Sequence, residues 1–141
     1  FTLTEILVVI GILTIVLSFG MGINFSSFTN STLQGEGSKI VSILERARSH
    51  AMANMFESAF IACYVSPNYV ISYDGTCNGS GTDEIIPANT NIATASSFPF
   101  TAVGFSQLSG NVTSAPINII VTDGVKTLPP ITINDEGTIN W

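Results

Sequence analysis

The first twenty-three residues, FTLTEILVVIGILTIVLSFGMGI, form one apolar run whose single charge is Glu5. Read as a helix at roughly 1.5 Å per residue, such a run is long enough to cross a bilayer core of about 30 Å. A carboxylate at that depth costs roughly 2.5 kcal/mol or more and survives mainly where it has a partner. The segment therefore confines the chain to architectures in which something else covers an apolar helix and its Glu. The run lacks the basic flank of a secretory signal, and the chain opens at Phe1 without an initiator Met. The expectation is a mature, processed protein that keeps this segment.

Phe1, Thr2, Leu3, Thr4 and Glu5, followed by ILVVIGIL, resemble the processed N-terminus of the type IV pilin and pseudopilin superfamily. The resemblance implies that a prepilin peptidase cuts before Phe1, that Phe1 is then N-methylated, and that Glu5 guides assembly. Phe1 and Glu5 are thus the expected assembly residues. When subunits stack, the Phe1 amine of one copy could reach Glu5 of its neighbour. An ion pair in apolar surroundings is strong only when well satisfied, and removing one partner leaves an uncompensated charge. Glu5 would then fix the register of the packed helices, with the Thr2 and Thr4 hydroxyls beside it. The plainer reading is a single-span anchor whose Glu5 reaches the headgroups. That reading gives no reason for a Phe at the first position.

Residues 24–37, NFSSFTNSTLQGEG, are poor helix formers. Gly20, Gly22, Gly35 and Gly37 each weaken a helix by about 1 kcal/mol relative to Ala. Many pilins carry a Pro near position 22, where this chain has Gly20-Met21-Gly22. The N-terminal helix is expected to kink or melt around residues 20–37, giving the filament stretch; a flexible linker accounts for the composition equally well. From Ser38, a candidate N-cap, the stretch KIVSILERARSHAMANMF repeats apolar residues at Ile40, Leu44, Ala47, Ala51 and Met55. That spacing predicts an amphipathic helix over 38–57, laid on a sheet, with Glu45, Arg46, Arg48 and Glu57 off its apolar face.

After residue 58 the period changes to two. AFIACYV and YVISYD, separated by SPN, read as a hairpin. Further strands are expected near 84–87, 91–94, 103–106, 117–122 and 131–134, with TINW as a last short run. A helix followed only by strands predicts an α+β chain: a long N-terminal α-helix, then a helix packed on an antiparallel sheet or sandwich-like head. The expected division is a transmembrane or filament-core helix over 1–23, a stem over 24–37 and an extracytoplasmic head over 38–141. AFIACYV, Val103-Gly104-Phe105, INIIVTDG and ITINDEGTINW together resemble the head of the GspH/FimT group of pilin-like proteins.

For a head outside the cytoplasm, Cys63 and Cys77 are expected to form a disulfide. The loop of about 15 residues would contribute roughly 3 kcal/mol in the chain-entropy view. The alternative is two free thiols, one buried in a strand. No metal or cofactor is indicated, since the chain has one His and no C-x-x-C. That His50 lies on the predicted helix beside Arg46 and Arg48, and no Ser stands in a G-x-S-x-G setting. Asp74, Asp83-Glu84 and Asp135-Glu136 fall in turns, where solvation explains them better than calcium. Nothing here reads as an enzyme.

Charged residues make up only 10% of the chain and the net charge is −6. After Arg48 the only basic residue is Lys126, which argues against nucleic acid, where phosphate contacts dominate affinity. Lys39, Arg46 and Arg48 are expected to pair with Glu36, Glu45 or Glu57 of neighbouring subunits. Four Asn-x-Ser/Thr triplets, at Asn24, Asn30, Asn78 and Asn111, leave glycosylation open. The expected function is a structural subunit of a type IV pilus, a homo-oligomeric helical filament at the cell surface. Its partners would be the prepilin peptidase, the assembly machinery and, before assembly, the cytoplasmic membrane. The alternatives are a minor, GspH-like pseudopilin of a type II secretion system and a membrane-anchored binding module that never polymerises.

Overall fold

A computed structural model describes residues 2–21, 25–79, 83–96 and 102–141. The chain is α+β and divides into two compact units, Phe1–Asn30 and Ser31–Trp141. Helix α1 spans Leu3–Met21. Its side chains are exposed along the whole described stretch from Leu3 to Ser18, apolar ones included. At 19 residues the helix is roughly 28 Å long. Among the described residues no helix is long and apolar enough to cross a membrane. The membrane-crossing helix expected over 1–23 is therefore not found among the described residues: α1 covers Leu3–Met21, with Phe1 and residues 22–24 outside them.

Helix α2 runs over Phe25–Met52 and corrects the expected stem. Residues 25–37 are helical, not melted, and residues 31–37 belong to the head unit. Burial is the physical reason: Leu33, Glu36 and Gly37 extend the buried stripe of Ile40, Leu44, Ala47 and Ala51 toward the N-terminus. Tertiary packing of one face outweighs weak propensity. Ser38 is no cap; it sits inside the helix and donates its hydroxyl to the Gln34 carbonyl at 3.0 Å. The helix also stops earlier than predicted. Asn54 takes a left-handed φ of 55°, a short 3₁₀ turn covers Met55–Glu57, and Met55 is exposed rather than core.

Strands β1 (Phe60–Val65) and β2 (Asn68–Ser72) form the predicted hairpin, with Val65 opposite Asn68. Strands β3 (Glu84–Pro87) and β4 (Val103–Phe105) complete a four-stranded antiparallel sheet in the order β3-β2-β1-β4. A second sheet holds β5 (Ile117–Ile119), β6 (Ile131–Ile133) and β7 (Ile139–Asn140) in that order. Residues 91–94 are not a strand. They lie in helix α3 (Thr90–Ala95), capped by the Asn89 side chain, which accepts from the Asn91 N–H at 3.2 Å. Central β2 buries Tyr69, Val70, Ile71 and Ser72, whereas edge strand β3 carries Glu84 and Pro87, residues that blunt an edge. The α2 stripe, both sheets and α3 share one apolar core.

Candidate functional site

The head of α1 is a capping box. Thr2 precedes the first helical residue and Glu5 stands three positions later, the S/T-x-x-E pattern. The Glu5 carboxylate accepts the Thr2 N–H at 2.9 Å and the Thr2 hydroxyl at 3.2 Å, both on Oε2. In return the Thr2 hydroxyl oxygen faces the Glu5 N–H at 3.4 Å, and the hydroxyls of Thr2 and Thr4 lie 2.9 Å apart. A carboxylate in the first turn also favours the positive end of the helix dipole. Glu5 therefore has a local job beside the expected one. Its expected partner Phe1 lies outside the described residues.

The four glycines expected to loosen the helix have different surroundings. Gly22 lies outside the described residues, Gly20 falls within α1, and Gly35 sits in α2 with open space around it. Gly37 is a packing position: a Cβ there would come within 2.7 Å of Leu128 Cδ1. Beside it lies a buried carboxylate that the sequence reading assigned to a neighbouring subunit. Glu36 is only 4% exposed; it pairs with Lys39 at 2.8 Å and accepts the Asn89 N–H at 2.8 Å. Lys39 also donates to the Pro87 carbonyl at 3.2 Å. The group pins α2 to the segment between β3 and α3. Burial, and after it the Glu36 charge, push the Tyr69 hydroxyl well above its ordinary range. The signal for Glu36 was its place one turn before Ile40 on the apolar stripe, with Lys39 three residues on.

Arg46 and Arg48 also have partners within the chain. Arg46 pairs with Glu84, and Arg48 donates to the Glu136 carbonyl at 2.9 Å. Cys63 and Cys77 are disulfide-bonded, as expected, tying β1 to the loop after β2. His50 meets the Phe60 ring edge-on at a centroid distance of 5.3 Å. Among the described residues no group of three His, Cys, Asp or Glu gathers as a metal site. A cavity of about 360 Å³ opens between Gln34, Gly37 and Ser38 of α2 and Leu128, Pro129, Ile131 and Trp141. It brings no ionisable side chain together.

Two loops of the head carry features that the periodicity did not reveal. Beyond α2, Asn54, Phe56 and Glu57 all have φ between 51° and 55°. Left-handed backbone costs an L-residue roughly 1–2 kcal/mol, least for Asn. The result displays Phe56, which stacks on Tyr73 with ring centroids 4.6 Å apart yet stays 65% exposed. The second loop is the turn 122–127. The Asp123 carboxylate accepts the N–H groups of Val125 (2.9 Å) and Lys126 (2.7 Å), and these bonds hold it below its ordinary range. The Thr122 hydroxyl donates to the Lys126 carbonyl at 2.7 Å, and Gly124 supplies a φ of 88°. Val125 projects from this braced tip and is 91% exposed. The Asp-Gly pair was the only sequence cue.

No protein-family profile, curated protein or solved structure matches this chain.

Proposed function

We propose that this chain is a structural subunit of a type IV pilus filament, held by its N-terminal helix in the cytoplasmic membrane before assembly. The observation that carries the reading is α1 itself. It is an almost uniformly apolar helix whose described side chains are exposed, headed by the one carboxylate of the run. A helix apolar on all sides needs an apolar surrounding. Lipid supplies it first and neighbouring helices afterwards. The opening Phe-Thr-Leu-Thr-Glu supports processing and N-methylation at Phe1, and Glu5 then pairs with the Phe1 amine of a neighbour. A carboxylate has about four acceptor sites, so the capping bonds to Thr2 leave capacity for that pairing. No step of this role is enzymatic.

Glu5→Gln separates capping from charge, because Gln also completes a capping box. The variant is expected to enter membranes normally and to lose filaments, scored by shearing, mass spectrometry and negative-stain microscopy. Normal filaments from Glu5→Gln would refute charge pairing. A wild-type chain that never dominates sheared fibres would reduce the subunit to a minor pseudopilin or an anchored module.

A further inference from the structure

Two exposures in the head have no explanation within one copy. The first is the stacked pair Phe56–Tyr73. Phe56 is followed by Glu57 and Tyr73 by Asp74, so each ring of the stack has an exposed carboxylate next to it in sequence. The Ser58 hydroxyl donates to the Tyr73 carbonyl at 2.5 Å and ties the two segments together. Holding Phe56 outward requires left-handed backbone at Phe56 and Glu57, a conformation that burial of the ring does not repay. Such strain is a pointer to function when it is observed rather than assumed. The exposed ring face favours a cation, and the two carboxylates that follow its rings in sequence add negative charge; Asp74 keeps its charge while accepting from Ser72 and Thr76.

The second exposure is the turn 122–127. Its backbone is braced by the Asp123 carboxylate and the Thr122 hydroxyl, and Thr122 is anchored in turn to Ser96, whose hydroxyl accepts the Thr122 N–H at 3.0 Å. The tip presents Val125 and Lys126 to solvent. Lys39 and Arg46 have carboxylate partners, and Arg48 is bonded to a carbonyl. Among the described residues, Lys126 makes no ion pair. Asp123 of its own turn is electrostatically close, yet the Lys126 side chain is exposed and, among the described residues, without an ion pair, in a chain with ten acidic and four basic residues.

We infer that the Val125–Lys126 tip of one copy docks on the Phe56–Tyr73 stack of a second copy. Lys126 then lies over the open aromatic face between Glu57 and Asp74, and Val125 covers apolar ring surface. The contact joins two different surfaces, so it repeats head to tail instead of closing a symmetric dimer. It is small, and a braced loop meeting a fixed ring loses little freedom on binding. Its effect is greatest where many copies are already linked, as effective concentration multiplies a weak contact. The inference rests on the filament reading for that setting, while the contact itself is tested directly.

The test uses the full chain, mixed from ¹⁴N and ¹⁵N preparations, assembled in filaments or held at high concentration in detergent. A water-soluble carbodiimide joins carboxylates to amines in contact without a spacer, and mass spectrometry identifies the linked peptides. Mixed-isotope peptides linking Lys126 to Glu57 or Asp74 are expected, and Lys126→Gln should abolish them while leaving folding, read by circular dichroism, unchanged. Phe56→Ser should reduce the same crosslink at least several-fold. Filaments without this crosslink would overturn the docking and leave the filament reading intact. The crosslink in a preparation that forms no filaments would uphold the docking and remove the filament as its setting. Lys126 linked only within one copy, or to other carboxylates, would also overturn it.

Discussion

The Glu36–Lys39 pair gives the sharpest test of how the helical stem is held to the head. Glu36 is almost completely buried, while the Lys39 side chain is 38% exposed. Removing one member of a fully buried pair costs about 3–5 kcal/mol, because the other charge is left without compensation. Lys39→Ala leaves the carboxylate with the Asn89 N–H and partial water access, so about 2 kcal/mol is the working figure. Glu36→Gln acts differently. The amide oxygen can still accept from Asn89, no buried charge remains, and Lys39 can turn to the Pro87 carbonyl and to water. About 1 kcal/mol is expected, the scale of one exchanged hydrogen bond. Once Glu36 is neutral, losing Lys39 matters little, so the double variant should resemble Glu36→Gln and show about 2 kcal/mol of coupling. Urea unfolding of the full chain in detergent, followed by circular dichroism, reads all four states. Equal single losses that simply add in the double variant would refute the claim that Lys39 exists to compensate Glu36.

Gly137→Ala should cost about 3 kcal/mol in a thermal melt, combining a φ of 73° with a Cβ driven against the Gly110 carbonyl. Gly124→Ala, at a φ of 88° with open space, should cost only about 1 kcal/mol, and equal losses would argue against the close approach. Tyr69 has a raised folded-state pKa, so the stability from its neutral hydroxyl is complete below about 10 and is lost as pH rises beyond that. Tyr69→Phe should therefore flatten the alkaline arm of a melting-temperature profile, and an unchanged arm would place the titration elsewhere. Asp123 is lowered by the turn's N–H bonds, so its contribution is present above the ordinary carboxylate range and fades as pH falls through and below it. Asp123→Asn should reduce the acid sensitivity of the turn, read as amide hydrogen exchange at Val125 and Lys126 between pH 5 and 2.

The parts legible in the sequence are those where one physical signal acts alone. The hairpin β1–β2 follows from alternating apolar residues and a Pro-containing turn, and the cysteine pair from its spacing and expected compartment. The buried face at Ile40, Leu44, Ala47 and Ala51 follows from helical periodicity. Errors appear where two signals compete. Residues 25–37 have loop-like propensity, yet Leu33 and Glu36 are buried and Gly37 admits Leu128, so packing decides the conformation. Residues 91–94 look like a short strand, but Asn89 supplies a cap and Ile92 and Ala93 bury one face of a short helix. Arg46 and Arg48 have partners, Glu84 and the Glu136 carbonyl, that lie 38 and 88 residues away. Periodicity is a local quantity and cannot supply such pairings.

The contrast between Glu5 and Glu36 gives the clearest physical ground for assembly. Glu5 heads an apolar run and Glu36 is buried in the head, and a bare charge is expensive in either apolar setting. Glu36 is neutralised by Lys39 and bonded to Asn89, all inside one copy. Glu5 has the Thr2 donors, which satisfy hydrogen-bonding sites but bring no opposite charge. The same asymmetry runs through the apolar surface. The head buries Leu33, Phe60, Tyr69 and Phe105 in its own core, whereas the side chains of α1 from Leu3 to Leu17 have no cover of their own. At about 25 cal/mol per Å² of apolar area removed from water, this surface favours an apolar surrounding. The head thus pairs its buried carboxylate Glu36 and covers its own core, whereas the described side chains of α1 stay exposed. On the filament reading proposed above, the partner of α1 supplies both apolar surface and a positive charge near Glu5.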